Sequence, residues 1–99
     1  MKVVEIDAGG CRNPKEFGQL LQDAIQAIPG HGSSIEAFVD SMVFGTMSDL
    51  SPPYTIVVTG DLKPEVRAFV ADLSNAIGQA RLERRTRRGD DVEVIVKLA

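Results

Sequence analysis

The chain has no tryptophan, one tyrosine, one cysteine and one histidine among its 99 residues, and each scarcity closes off a class of protein. Cys11 alone cannot build an internal disulfide framework, and a single cysteine fits a reducing compartment. Cys11 with His31 is also too small a donor set for a zinc site. No apolar run approaches the eighteen or so residues that span a bilayer, and Glu5 and Asp7 arrive before a signal-peptide core has formed. The expectation is a soluble cytoplasmic protein. Positive charge is in deficit too: 11 Lys+Arg against 14 Asp+Glu leave a net charge of -3, which disfavours general nucleic-acid binding and favours a basic partner. No nucleophile stands beside a base and no glycine loop has phosphate-binding spacing. Gly30-His31-Gly32-Ser33-Ser34 follows a helix, whereas a nucleophile elbow follows a strand. Neither an enzyme nor a cofactor or metal site is expected.

What is present is 43% hydrophobic and 25% charged, enough for one core without disulfides, so residues 1–99 read as a single domain. Val3, Val4 and Ile6 make a short β-branched strand that stops at Asp7-Ala8-Gly9-Gly10. Asn13, Pro14 and Glu16 supply the cap, first position and capping-box acid of a helix. Its stripe of Phe17, Leu20, Leu21, Ala24, Ile25 and Ile28 has helical spacing, and Pro29-Gly30 reads as its stop. Ser33 with Glu36 repeats the capping-box spacing and starts a second helix, with Ile35, Phe38, Met42 and Val43 inward. Residues 45–53 have loop composition, and residues 54–59 read as a buried strand ended by Gly60-Asp61. Pro64 opens the longest helix, which buries Val66, Phe69, Val70, Leu73, Ala76, Ile77 and Ala80 and is capped by Gly89. Residues 92–98 form the last strand, with Val92, Val94, Val96 and Leu98 on one face. The order βααβαβ joins the last two strands through a helix, which makes them parallel. The expected fold is α/β, a small three-stranded parallel sheet packed with helices.

The stretch from Ile28 to Asp40 is the most informative. A rigid break leads into a capped helix on which Glu36 and Asp40 stand one turn apart on the outer face. At roughly 6 Å two such charges repel by about 0.7 kcal/mol in water and about 3 kcal/mol at a partly dry surface. A partner that dries this face must therefore bring cations. Glu36 has a local duty available as the capping-box acid; Asp40 has none. His31, between two glycines, is either an exposed turn residue or a donor to a partner.

In element order, and in Pro29, Gly32, Ile35, Glu36, Ala37, Phe38 and Asp40, the chain resembles the barstar family of intracellular inhibitors of secreted, barnase-type bacterial ribonucleases. The resemblance implies an immunity protein against a basic ribonuclease or related toxin. In the family, the loop matching residues 30–34 and the acidic helix enter the nuclease cleft, where carboxylates take the places of RNA phosphates. By position, Asp40 matches the family's central aspartate, and Glu36 replaces the aspartate one turn earlier. The implied partner-binding set is Asp40, Glu36, His31, Gly30, Ser33, Ser34 and Val39, with a further acidic contact falling near Glu83 or Arg84. Gly30 and His31 stand where the family has aromatic residues, and Val39 where a tryptophan is common. Aromatic side chains anchor interfaces, so the implied target differs from barnase itself. A monomer is expected.

The rival signal is the tract 81–88, where Arg81, Arg84, Arg85, Arg87 and Arg88 have the charge to grip phosphates. No aromatic residue interleaves with them, and a helix C-terminus attracts cations in any case. A nucleic-acid-binding module is the alternative expectation, and a non-inhibitory interaction module on the same fold is a third.

Overall fold

The computed structural model describes residues 2–28, 30, 32–45 and 49–99. Six elements follow in the expected order: β1 Lys2–Asp7, α1 Pro14–Ala24, α2 Ile35–Phe44, β2 Tyr54–Thr59, α3 Pro64–Arg88 and β3 Val94–Leu98. The strands form one parallel sheet in the order β1-β2-β3. Val4, Ile56 and Val96 share one level of one face, and Glu5, Val57 and Lys97 share a level of the other.

Each strand lies beside its predecessor, so two right-handed crossovers advance in the same direction and leave all their helices on one side. Burial agrees at the edges, because Tyr54, Ile56, Val58, Val94 and Val96 are buried while on the other face Val3 is 63% exposed and Ile95 37%, with Thr55 buried between them on the central strand. The rings of Phe17 on α1 and Phe69 on α3 meet edge to face at 5.9 Å, which puts both helices on the same side. The sheet is therefore covered on one face and open on the other. Most of the stability comes from the covered face, where each fully buried aliphatic or aromatic side chain contributes about 1.5–3 kcal/mol.

Several sequence expectations are corrected. α1 ends at Ala24 and does not run to Ile28. Gln26 adopts a left-handed φ of 58°, its N–H donates to Asp23 O, and Ala27 N–H donates to Gln22 O at 2.9 Å. These bonds make a Schellman stop without the customary glycine, which is why the apolar spacing reads through it. Ile28 and Leu20, expected in the core, are exposed. The freed carbonyls of Ile25 and Gln26 accept from Leu50 and Asp49, so the end of α1 is sealed by a distant loop. Pro29, read as the stop, lies outside the described residues.

The cap of α2 is Ser34, whose Oγ accepts from Ala37 N–H at 3.1 Å, not Ser33. β3 begins at Val94; Val92 is buried just before it, and Leu98 is partly exposed. Elsewhere the local chemistry is as expected. Asn13 Oδ1 accepts from Glu16 N–H at 3.0 Å, and Gly89, with φ 75°, closes α3. At the end of β2, Gly60 has φ 101° and a Cβ there would lie 2.6 Å from Gly9 N, so the two strand-ending turns touch only because Gly60 lacks a side chain. No helix among the described residues is long and apolar enough to cross a membrane.

Candidate functional site

α2 reaches the surface as a strip lying on α3. Its inner face of Phe38, Ser41, Met42 and Val43 is buried, and its chief neighbour is α3. Arg84 ties the two together: Nη1 donates to Val43 O in the last turn of α2, while Nε and Nη2 each donate to Asp90 at 3.2 Å. One turn earlier, Arg81 grips Asp91 at 2.9 and 3.1 Å and donates to Val94 O. The end of α3 is thus fastened both to α2 and to the start of β3.

Between α2 and α3 runs an open groove of about 440 Å³. Ile35, Val39, Ala76 and Ala80 supply its apolar floor, Glu36 and Asp40 its α2 rim, and Gln79 and Glu83 its α3 rim. Three carboxylates from two helices therefore surround one apolar trough. Among the described residues the side chains of Glu36 and Asp40 have no hydrogen bond or ion pair. Glu83 pairs with Arg87 at 3.0 Å, but both side chains are well exposed, and such an i,i+4 pair is worth only a few tenths of a kcal/mol. With Ser34 as cap, Glu36 occupies the second helical position, where it favours the helix dipole without bonding a backbone N–H. The capping-box duty expected of it is absent.

Glu36, Val39, Asp40 and Glu83, predicted from different parts of the chain, meet here. Of Glu83 and Arg84, between which the sequence reading left the further contact open, Glu83 lines the groove while Arg84 is bound to Asp90 and α2. The serines do other work. Ser33 Oγ accepts from Gln22 Nε2 at 2.8 Å, and Gly32 O accepts from the same amide at 3.3 Å. A Cβ on Gly18 would lie 3.0 Å from that of Ser33, so this mid-helix glycine lets the loop lie directly on α1. Gly30 is exposed with φ 91°. His31 lies outside the described residues. On α3 the sequence reading found Glu83 but missed Gln79 and the groove-facing side of Ala76 and Ala80; the signal was the spacing of Ala76, Gln79, Ala80 and Glu83, one helical stripe with polar edges.

Two members of the arginine tract, Arg81 and Arg84, are committed inside the molecule, while Arg85, Arg87 and Arg88 are exposed. Besides Arg81 and Arg84, Arg87 pairs with Glu83, and the Arg88 guanidinium lies 5.4 Å from the centre of the Phe44 ring. Hydrogen bonds from Arg84 and Arg81 hold the carboxyls of Asp90 and Asp91 below their usual range. Among the described residues no three histidines, cysteines, aspartates or glutamates come together to hold a metal ion. Comparison with protein-family models gives no match to this chain, and comparison with curated proteins gives none.

Proposed function

We propose that the groove between α2 and α3 docks a basic protein partner and that the chain is a barstar-like inhibitor, its partner a ribonuclease or related toxin whose active-site cations meet Asp40, Glu36 and Glu83. The observation that carries this reading is the convergence of these acids from two helices on one apolar trough, with the α2 pair left unpaired. Helix α2 holds Glu36 and Asp40 together at the electrostatic cost derived above, and an arginine or lysine entering between them removes that cost. The cation's aliphatic stem has Val39, Ala76 and Ala80 to lie on. Charge-assisted hydrogen bonds of this kind are short and strong, and complementary charge raises association rates. A nuclease whose phosphate-binding groups are so occupied is blocked without any chemistry on the inhibitor's part.

The nucleic-acid reading is weakened by the internal partners of Arg81 and Arg84, which take two of the five arginines out of reach of a phosphate backbone. Titration calorimetry of small basic secreted ribonucleases and of mixed RNA oligomers separates the two. The variants are Asp40→Ala, Glu83→Gln and the pair Arg85→Ala with Arg88→Ala, which spares the α2 tie at Arg84. Nuclease binding that weakens more than about tenfold in Asp40→Ala supports the inhibitor. RNA binding that falls steeply with salt and disappears in the arginine variant replaces it with the alternative.

A further inference from the structure

We infer that the open face of the sheet is a self-complementary surface on which a second copy of this chain stacks, giving a weak two-fold dimer. The face lies across the sheet from the helices, and the inference does not rest on the proposed function. Parallel sheets ordinarily carry cover on both sides. Here both crossovers fall on one side, and Val3 and Ile95 are left substantially exposed on the edge strands of the other.

Two rows cross this face. One is Val3↔Thr55↔Ile95, exposed at its ends with Thr55 buried in the middle, and the other is Glu5↔Val57↔Lys97, with both charged ends exposed and Val57 half-buried. In the second row an acid stands on one edge strand and a base on the other, at the same level. Two strand spacings, about 9.6 Å, separate them, and no ion pair joins them among the described residues. Each is available to a charge arriving from outside.

A two-fold axis running along β2, midway between stacked sheets, carries β1 of one copy over β3 of the other and keeps every residue at its level. Glu5 of each copy then falls over Lys97 of the other, Val3 over Ile95, and Val57 over Val57. Stacked sheets lie about 10 Å apart, a gap that a glutamate and a lysine span together. An axis across the strands instead sets β1 over β1 and β3 over β3, which gathers acids on one side and bases on the other. The charge pattern selects the first arrangement. Three strands of about six residues present a face of only about 14 by 20 Å. At about 280 Å² per copy it falls well short of the roughly 800 Å² per partner of a stable interface, so the dimer forms only at high concentration and the expected monomer persists at low.

Sedimentation velocity of the intact chain from about 10 µM to about 1 mM covers the range in which so small an interface binds. The expected result is a monomer–dimer shift whose midpoint moves up at least about tenfold in Glu5→Lys and in Lys97→Glu, because like charges then face each other at both ends of the two-fold. The double variant Glu5→Lys with Lys97→Glu restores the wild-type midpoint. A chain that stays monomeric throughout overturns the inference. So does a dimer indifferent to the single variants, or a double variant as weak as either single one.

Discussion

Arg84 on α3 donates to the backbone carbonyl of Val43 at the end of α2 while its remaining nitrogens hold Asp90, so one guanidinium joins two helices and the turn before β3. The side chain is only 18% exposed, which keeps water from competing for these bonds. α2, which carries two of the three groove acids, has α3 as its main support, and the width of the groove follows from this tie.

Replacing Arg84 by alanine leaves a helix-terminal carbonyl without its charged donor, and a bond of that kind contributes roughly 1.5–3 kcal/mol. Arg84→Ala is expected to lower stability by about 2 kcal/mol in urea titration and to speed hydrogen exchange in the last turn of α2 first. Arg84→Lys keeps the charge but lacks the fork, so it recovers less than half of the loss. Equal exchange rates along α2 in wild type and Arg84→Ala would refute the tie.

Ser34→Ala removes the bond to Ala37 N–H and is expected to cost about 1 kcal/mol. Ser33→Ala loses only the bond from Gln22, a neutral contact worth less. Thermal melts of the two variants rank them; the opposite order would return the cap to Ser33.

Gln26 holds a left-handed backbone that costs a non-glycine residue about 1 kcal/mol. Gln26→Gly is expected to raise stability by about 0.5–1 kcal/mol despite the added freedom of the unfolded chain, and Gln26→Val to lower it by more than that. Chemical denaturation of the pair checks the sign.

Tyr54 Oη is buried and has no hydrogen-bond partner among the described residues, and burial pushes the phenol pKa well up. An unsatisfied buried hydroxyl is a cost, so Tyr54→Phe is expected to leave stability unchanged or raise it by about 1 kcal/mol. A loss larger than that would reveal a bond to this oxygen.

Asp90 and Asp91 have folded pKa values held below the ordinary 3.8, chiefly by hydrogen bonds from Arg84 and Arg81. A depressed carboxyl favours the folded state where it is ionised. Its contribution is therefore complete well above pH 3.8 and disappears as the pH falls through the folded value. At the alkaline end Cys11 acts in the opposite sense: burial raises its thiol above 9.0, so the stabilisation it reports is lost as the pH climbs through that raised value. Urea titrations between about pH 2.5 and neutrality should show a steep acid limb that flattens in Asp90→Asn with Asp91→Asn.

The element order, the strands and α3 were legible because they rest on local signals. Val92, Val94 and Val96 alternate, the buried stripe of α3 has helical spacing, and Asn13 and Gly89 are residues with few other uses at helix ends. The end of α1 was not legible, since a left-handed glutamine has no mark in sequence and is held by the distant residues Asp49 and Leu50. The two adjacent serines of the α2 cap were equally ambiguous, and Gln22 on another helix takes one of them.

Sequence by itself determined which residues form helices and strands, that the strands run parallel, and that Glu36 and Asp40 share a helix face, because periodicity and connectivity are properties of neighbours along the chain. Tertiary structure alone decided that Glu83 joins them while Arg84 turns to α2, that Arg81 and Arg84 are spent on internal partners, and that the helices cover only one face of the sheet. Those outcomes depend on which groups meet across α2, α3 and the sheet, and such meetings are set by packing between segments far apart in the chain.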